Sequence, residues 1–134
     1  MAITQITAGQ KDWLSTLNSD LSQIGDKVTS ISIPVTFVNG NSGDISVMHY
    51  TFGSHILNTV QGWVKLGENL NVGTATNVFK VTAGTDLGDI WAWNTSGSIY
   101  TGKCSVANDG TVSITMEATT TSGNTLNLMG FRAY

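Results

Sequence analysis

The spacing of apolar residues changes once along the chain, near residue 28, and this change constrains the fold more than any other feature. Before it, apolar residues recur every three or four positions as the narrow seam of a heptad helix, at Leu14, Leu17, Leu21 and Ile24. After it, apolar and polar residues alternate, which is the period of β-strands. The sequence therefore predicts an N-terminal helical segment over residues 1–27 and a β domain over residues 28–134.

The helical segment is expected to begin near residue 8 and to end at Gly25. Thr7 and Gln10 have the spacing of a capping box, and glycine is common just after a helix. Two interpretations of the seam remain open. The helix could pack on its own domain, or identical chains could associate through it in a coiled-coil-like bundle, which the narrowness of the seam favours.

The β domain is predicted to be an antiparallel β-sandwich or barrel, because short strands separated by turn residues follow one another closely. Eight runs are predicted as strands: Ile31–Phe37, Ile45–Phe52, Gly62–Leu66, Asn77–Thr82, Asp89–Trp93, Ser98–Val106, Thr111–Glu117 and Thr125–Tyr134. The first two runs are expected to form a hairpin, with Pro34 at a sheet edge. The chain as a whole is therefore expected to be mainly β.

The clearest local signal is the turn Asn108-Asp109-Gly110. An Asp-Gly pair tolerates the positive φ angles of a tight hairpin turn. After this turn, Val112, Ile114 and Met116 alternate with polar residues, so we expect these three side chains to face the core.

The composition excludes several classes of function. Charged residues make up 11% of the chain, against about 25% in typical soluble proteins. The net charge is −3 and the six basic residues are scattered, so nucleic-acid binding is not expected. No apolar run approaches the roughly 18 residues that would insert into a membrane. The N-terminus also lacks the pattern of a signal peptide, so export by the usual secretion route is not expected.

No metal site, cofactor or disulfide is expected either. Cys104 is the single cysteine, and two histidines cannot form the common metal motifs. We expect Cys104 to be a buried, unreactive thiol, since free cysteines are usually buried.

Enzymatic activity is not expected, because the sequence lacks the common nucleophile and phosphate-binding motifs. Asp86 and Asp89, beside Trp91 and Trp93, come nearest to the paired carboxylates of a glycosidase. Two aspartates in a glycine-containing loop are nevertheless more typical of turns.

A saccharide-binding site is the functional hypothesis for this segment, since aromatic rings and carboxylates together suit sugar faces and hydroxyls. Trp91 and Trp93 lie two residues apart and therefore on one face of a strand. Either they pack in the β domain or between chains, or at least one ring lines a sugar site. His55 is expected in a loop and could contact a ligand. Arg132, the sole arginine, could form a surface or intersubunit ion pair, or could anchor an anionic glycan.

Three segments carry a resemblance to a known family: residues 97–100, 106–114 and 123–131. Their D-G-T-V-x-I hairpin and G-x-x-L-x-L-x-G-F final strand resemble the heads of receptor-binding proteins from tailed phages of Gram-positive bacteria. The resemblance implies a homotrimer whose N-terminal segment docks into the phage tail or baseplate and whose β-sandwich head binds host cell-wall saccharide. It implies a virion protein, made in the host cytoplasm.

Two other functions remain open. The chain could be a structural virion component, a trimeric tail or fibre cap that binds other phage proteins and no sugar. It could instead be a secreted bacterial lectin, which the missing signal peptide disfavours.

Overall fold

The computed structural model describes residues 5, 9, 12–25, 28–95 and 99–134. These residues contain one helix, α1 (Trp13–Gly25). Nine strands follow: β1 (Val28–Ile33), β2 (Thr36–Phe37), β3 (Ser42–Phe52), β4 (His55–Lys65), β5 (Thr76–Lys80), β6 (Asp89–Asn94), β7 (Thr101–Val106), β8 (Thr111–Met116) and β9 (Thr125–Ala133). The expectation of a mainly β chain with a short N-terminal helix is confirmed.

The strands form one antiparallel sheet in the order β1-β3-β4-β9-β6-β7-β8-β5-β2. The two edge strands, β1 and β2, are joined only by Pro34 and Val35. Because consecutive Cα atoms are about 3.8 Å apart, this link can span no more than about 11 Å. The sheet must therefore curl until its edges approach each other, which gives the head a barrel-like form.

The prediction of one strand over Ile31–Phe37 is wrong, because the chain forms two separate edge strands, β1 and β2, on either side of Pro34. Proline has no N–H to donate, and here it stands where the chain leaves one edge of the sheet for the other. The expected pairing with the next run holds only for β1, which lies antiparallel to β3. Strand β2 pairs instead with β5.

The tight hairpin of this region lies between β3 and β4, which the sequence analysis did not anticipate. Phe52 pairs with His55 across the turn Gly53-Ser54, and Gly53 has a φ of +59°. His55 is therefore the exposed first residue of β4 and not a loop residue.

The core lies on the inner face of the curled sheet. The predicted alternation in the late hairpin is confirmed, because Val112, Ile114 and Met116 are all buried. Gly110 has a φ of +85°, and a Cβ there would lie 2.1 Å from the carbonyl oxygen of Val81. The turn therefore requires glycine at this position.

Helix α1 begins at Trp13, later than expected, and Gly9 has a φ of +78° that an α-helix does not contain. The proposed capping residues Thr7 and Gln10 lie outside the described residues. Within the described part of the chain, no helix is both long enough and apolar enough to cross a membrane.

The seam of α1 does not pack on its own β domain. Leu14, Leu17 and Leu21 are exposed, whereas Asp20 is buried. The side chain of Ile24 lies outside the described residues. The interpretation in which the seam packs on the chain's own β domain is therefore wrong for Leu14, Leu17 and Leu21.

Candidate binding site on the outer face

Five strands place one row of paired residues straight across the outer face of the sheet. In strand order from β4 to β8, the members of this central row are Gln61, Met129, Trp91, Lys103 and Thr115. Each is the direct cross-strand partner of the next, and such partners are close enough for their side chains to interact. Trp91 stands in the middle of the row.

A groove lies beside Trp91, between β6 and β9. We call it the first groove, and it has a volume of about 460 Å³. It is lined by Gly88, Asp89, Trp91, Met129, Gly130, Phe131 and Arg132. Trp91 is 49% exposed and Phe131 is 69% exposed. Such large exposed rings side by side are unusual on a protein surface and indicate a binding surface.

Arg132 is held at the groove by Asp86. The Nε atom of Arg132 lies 3.3 Å from Oδ2 of Asp86, and both side chains are about half exposed. The Oδ1 atom of Asp86 also accepts a hydrogen bond of 3.0 Å from the backbone N–H of Gly88. The Asp86 carboxylate is thus occupied on both oxygens and acts as an anchor for the loop and for Arg132.

Gly88 permits the close approach of this loop to β9. Its φ is +63°, and a Cβ there would lie 2.9 Å from the carbonyl oxygen of Phe131 and 3.1 Å from Cβ of Arg132. Any larger residue would push the loop away from Arg132.

Beneath the loop lies a buried polar chain. Asn58 donates from Nδ2 to the backbone carbonyl of Asp86 at 2.6 Å, and its Oδ1 lies 2.7 Å from Nδ1 of His49. Since the amide nitrogen faces Asp86, the amide oxygen accepts from His49, which therefore carries a hydrogen on Nδ1. His49 is half-buried and lies on the same face of β3 as the buried Ile45 and Val47.

A second groove lies on the other side of Trp91 and has a volume of about 600 Å³. It is lined by Val72, Gly73, Trp91, Thr101, Gly102, Lys103, Thr115, Met116 and Glu117. The Nζ atom of Lys103 lies 5.0 Å from the centre of the Trp91 ring, within the range of a cation–π contact. Thr101 donates a hydrogen bond of 2.7 Å to Glu117. This groove therefore contains a cationic side chain, Lys103, whereas the segment Asp86–Asn94 has no lysine or arginine of its own.

A third, smaller groove lies between β4 and β9. It is lined by Leu57, Thr59, Val60, Gln61, Met129, Gly130 and Phe131. It shares Met129 and Phe131 with the first groove, just as the second groove shares Trp91.

The structure brings four of the six proposed site residues together. Asp89, Trp91 and Arg132 line the first groove, and Asp86 pairs with Arg132. The other two lie elsewhere: Trp93 is half-buried two residues along β6 from Trp91, opposite Asn127, and His55 lines none of the three grooves.

The predicted alternation in β6 is confirmed, since Ile90 and Ala92 are buried while Trp91 is exposed. The interpretation in which Trp91 packs inside its own β domain is therefore wrong.

Met129, Phe131 and Lys103 are site residues that the sequence analysis missed. A signal for the first two was present, because Leu126 and Leu128 alternate as the core residues of a strand do, and the alternation then places Met129 and Phe131 outside. Lys103 carried no such signal, since only the pairing of β7 with β6 brings it to Trp91.

Cys104 is buried on the inner face, as expected, and burial raises the pKa of its thiol to about 12. Within the described residues, no three side chains of His, Cys, Asp or Glu cluster as metal ligands would. The side chains that line the grooves of the outer face offer stacking, hydrogen bonding and ion pairing.

The fold is that of a curled antiparallel β head. No protein-family model matches the chain, and no curated protein matches it. Among solved structures, it is similar to the crystal structure of the receptor binding protein (gp15) of Listeria phage PSA, with a TM-score of 0.53. The two sequences are 13% identical, and the match covers 96% of this chain and 80% of the Listeria phage protein. At this identity the likeness establishes a shared fold.

Proposed function

We propose that the chain is a receptor-binding protein of a phage tail or baseplate, which binds saccharide on the surface of a host bacterium as a homotrimer. The observation that carries the saccharide proposal is the first groove, where exposed Trp91 and Phe131 lie beside Asp89 and Arg132. The fold shared with the Listeria phage protein and the sequence resemblance to phage heads support the tail context.

The groove suits a sugar for chemical reasons. A sugar ring has an apolar C–H face that can stack on an aromatic ring, and hydroxyls that need donors and acceptors. Trp91 offers the stacking surface, Asp89 offers acceptor oxygens, and Arg132 offers donors in a fixed planar fork. Asp86 orients that fork by its ion pair. Affinity at one such shallow groove is expected to be weak, and three copies would raise it through effective concentration.

The trimer part of the proposal rests on α1. Its exposed leucines form an apolar stripe that a second and third copy could cover, which would make residues 1–27 the trimerisation segment and the attachment point to the tail or baseplate. The chain would then be made in the host cytoplasm and carried in the virion.

We further propose that the protein binds without catalysis. A glycosidase needs one carboxylic acid and one free carboxylate on either side of the scissile bond. The Asp86 carboxylate is instead engaged on both oxygens, by Arg132 and by the N–H of Gly88, so it is not the free carboxylate that attack on a sugar requires.

A structural virion component without sugar binding is the second candidate. The observation that favours it is the apolar character of the outer face, where Trp63, Met129 and Phe131 are also exposed and could be covered by another phage protein.

A cell-wall pull-down distinguishes the two candidates. The purified protein should be incubated with cell walls from a panel of Gram-positive bacteria, Listeria included, and the bound fraction measured. For a strain that binds, Trp91→Ala and Asp89→Ala should each lower affinity by about tenfold or more. Trp63→Ala and Asp44→Ala are matched controls, because both residues are exposed and line none of the three grooves. Unchanged binding by folded Trp91→Ala and Asp89→Ala would remove the first groove as the site.

A further inference from the structure

The three grooves lie in series along the outer face, and together we call them the trough. The first and second grooves share Trp91, and the first and third share Met129 and Phe131. The central row that runs along the trough crosses five strands, from Gln61 on β4 to Thr115 on β8. Neighbouring strands lie about 4.8 Å apart, so the trough is about 19 Å long and runs perpendicular to the strands.

The charges along the trough balance. Among the described residues, the charged side chains that line it are Asp89, Arg132, Lys103 and Glu117, two of each sign. Each cation also has a local partner, since Arg132 pairs with Asp86 and Lys103 lies over the Trp91 ring. A polyanion would gain little here, because an unpaired basic cluster is what holds phosphate or sulfate chains. The arrangement suits a ligand with many hydroxyls and no net charge.

The length of the trough sets the size of that ligand. A single sugar ring is comparable in width to one strand spacing, so it would occupy the first groove alone and leave the second empty. Trp91 forms the wall between the two grooves and can contact rings on both sides. A chain of several rings would cover Trp91 and Phe131 together and would bury more apolar surface than one ring can.

We propose that the trough binds a neutral polysaccharide chain lengthwise, across β4, β9, β6, β7 and β8, with the second groove as a separate subsite beside Lys103 and Glu117. This inference rests on the proposed saccharide-binding function and adds the class of ligand and its direction across the sheet. The proposed ligand is thus an uncharged saccharide chain of several residues and not a terminal monosaccharide.

The test is a series of fragments of increasing length. Cell-wall polysaccharide from a strain that the protein adsorbs should be partially hydrolysed, separated by length and by charge, and titrated against the intact protein by calorimetry. Affinity for the neutral fragments should rise by about tenfold or more from disaccharide to the longest fragment and then level off once the trough is filled. Anionic fragments of equal length should bind no better.

A variant separates the two subsites. Val72 is an exposed loop residue that lines the second groove and not the first, so Val72→Arg should narrow the second groove alone. This variant should bind the disaccharide with the affinity of the wild type, but its affinity should no longer rise with the length of the fragment. Ser32→Arg is the matched control, because Ser32 is exposed on β1, two strands beyond β4. In this control the affinity should still rise with the length of the fragment.

Each contrary outcome overturns a different statement. Equal affinity for the disaccharide and the longest fragment, with binding still abolished by Trp91→Ala, would overturn the trough and leave the first groove as a sugar site. Tighter binding of the anionic fragments would overturn the neutral ligand. The protein could also adsorb to none of the bacterial strains while Val72→Arg changes its oligomeric state. That result would show that another copy of the chain covers this face, and it would overturn both proposals.

Discussion

The side-chain amide nitrogen of Asn58 lies 2.6 Å from the backbone carbonyl oxygen of Asp86 and donates a hydrogen bond to it. This bond ties strand β4 to the loop whose carboxylate holds Arg132 at the first groove. Asn58 is 2% exposed, and its oxygen is in turn satisfied by His49. A buried amide therefore positions an arginine at the first groove, through the Asp86 loop, without lining the groove itself.

We predict that Asn58→Ala destabilises the fold by about 1–3 kcal/mol, because it leaves the Asp86 carbonyl and the His49 N–H without their partner. Urea denaturation followed by circular dichroism measures this. Asn71→Ala is the control, since Asn71 is exposed on a loop and should change stability by less than about 0.5 kcal/mol. Equal stability of the two variants would contradict the role assigned to Asn58.

The alternation within single strands could be predicted from the sequence, because which side chains share a face depends only on the period of two. Trp91 and Trp93 were expected on one face of a strand, and in the structure the residues between and before them, Ala92 and Ile90, are buried on the opposite face. The turn at Asp109-Gly110 could be predicted for a similar reason, since the positive φ that it requires falls on Gly110 itself.

The pairing between strands could not be predicted, because it depends on contacts between residues far apart in sequence. Lys103 meets Trp91 only through the register of β7 on β6, and Asn58 reaches Asp86 across 28 residues. The division of Ile31–Phe37 at Pro34 likewise follows from closure of the curled sheet, which no local pattern reports.

We predict that Ile114→Ala lowers the free energy of unfolding by about 2–5 kcal/mol, because Ile114 is fully buried and truncation leaves a cavity. Thr115→Ala should lower it by less than about 1 kcal/mol, since Thr115 is the next residue of the same strand and faces the trough. The comparison by chemical denaturation checks the register of β8. Similar losses in the two variants would contradict the assigned faces.

A pH effect is predicted at the late hairpin turn. The backbone N–H and the hydroxyl of Thr111 donate to the Asp109 carboxylate at 3.0 and 2.9 Å, and these bonds, with a smaller contribution from Lys80, lower the pKa of Asp109 from its ordinary value of 3.8. Because the pKa of Asp109 is lower in the folded state, its carboxylate stabilises the fold at pH values above its pKa in the unfolded chain. This stabilisation is lost as the pH falls from about 3.8 through the folded value.

Replacing the titrating group tests this pH effect. Asp109→Asn should lose less stability than the wild type on acidification, when unfolding is measured at a series of pH values from neutral to strongly acidic. Thr111→Val removes one of the two donors and should give an intermediate result. The same acid dependence in wild type and Asp109→Asn would show that the turn does not contribute.

The last prediction concerns the exposed seam of α1. If copies of the chain associate through it, light scattering should report about three times 14.2 kDa for the intact protein. Leu17→Ser with Leu21→Ser should then shift the protein toward lower mass at the same concentration, because burial of apolar surface drives such an association. The β-sheet signal by circular dichroism should be unchanged, since neither leucine packs on the sheet.

Ser22→Ala is the control for this pair of substitutions, since Ser22 is exposed beside the seam and its replacement removes no apolar surface. It should leave the mass at the wild-type value. A wild-type protein that stays monomeric at micromolar concentration would remove the trimer from the proposal. An isolated helix of this length is marginal in water, so its apolar stripe would then have to be covered by a different partner, such as another tail protein.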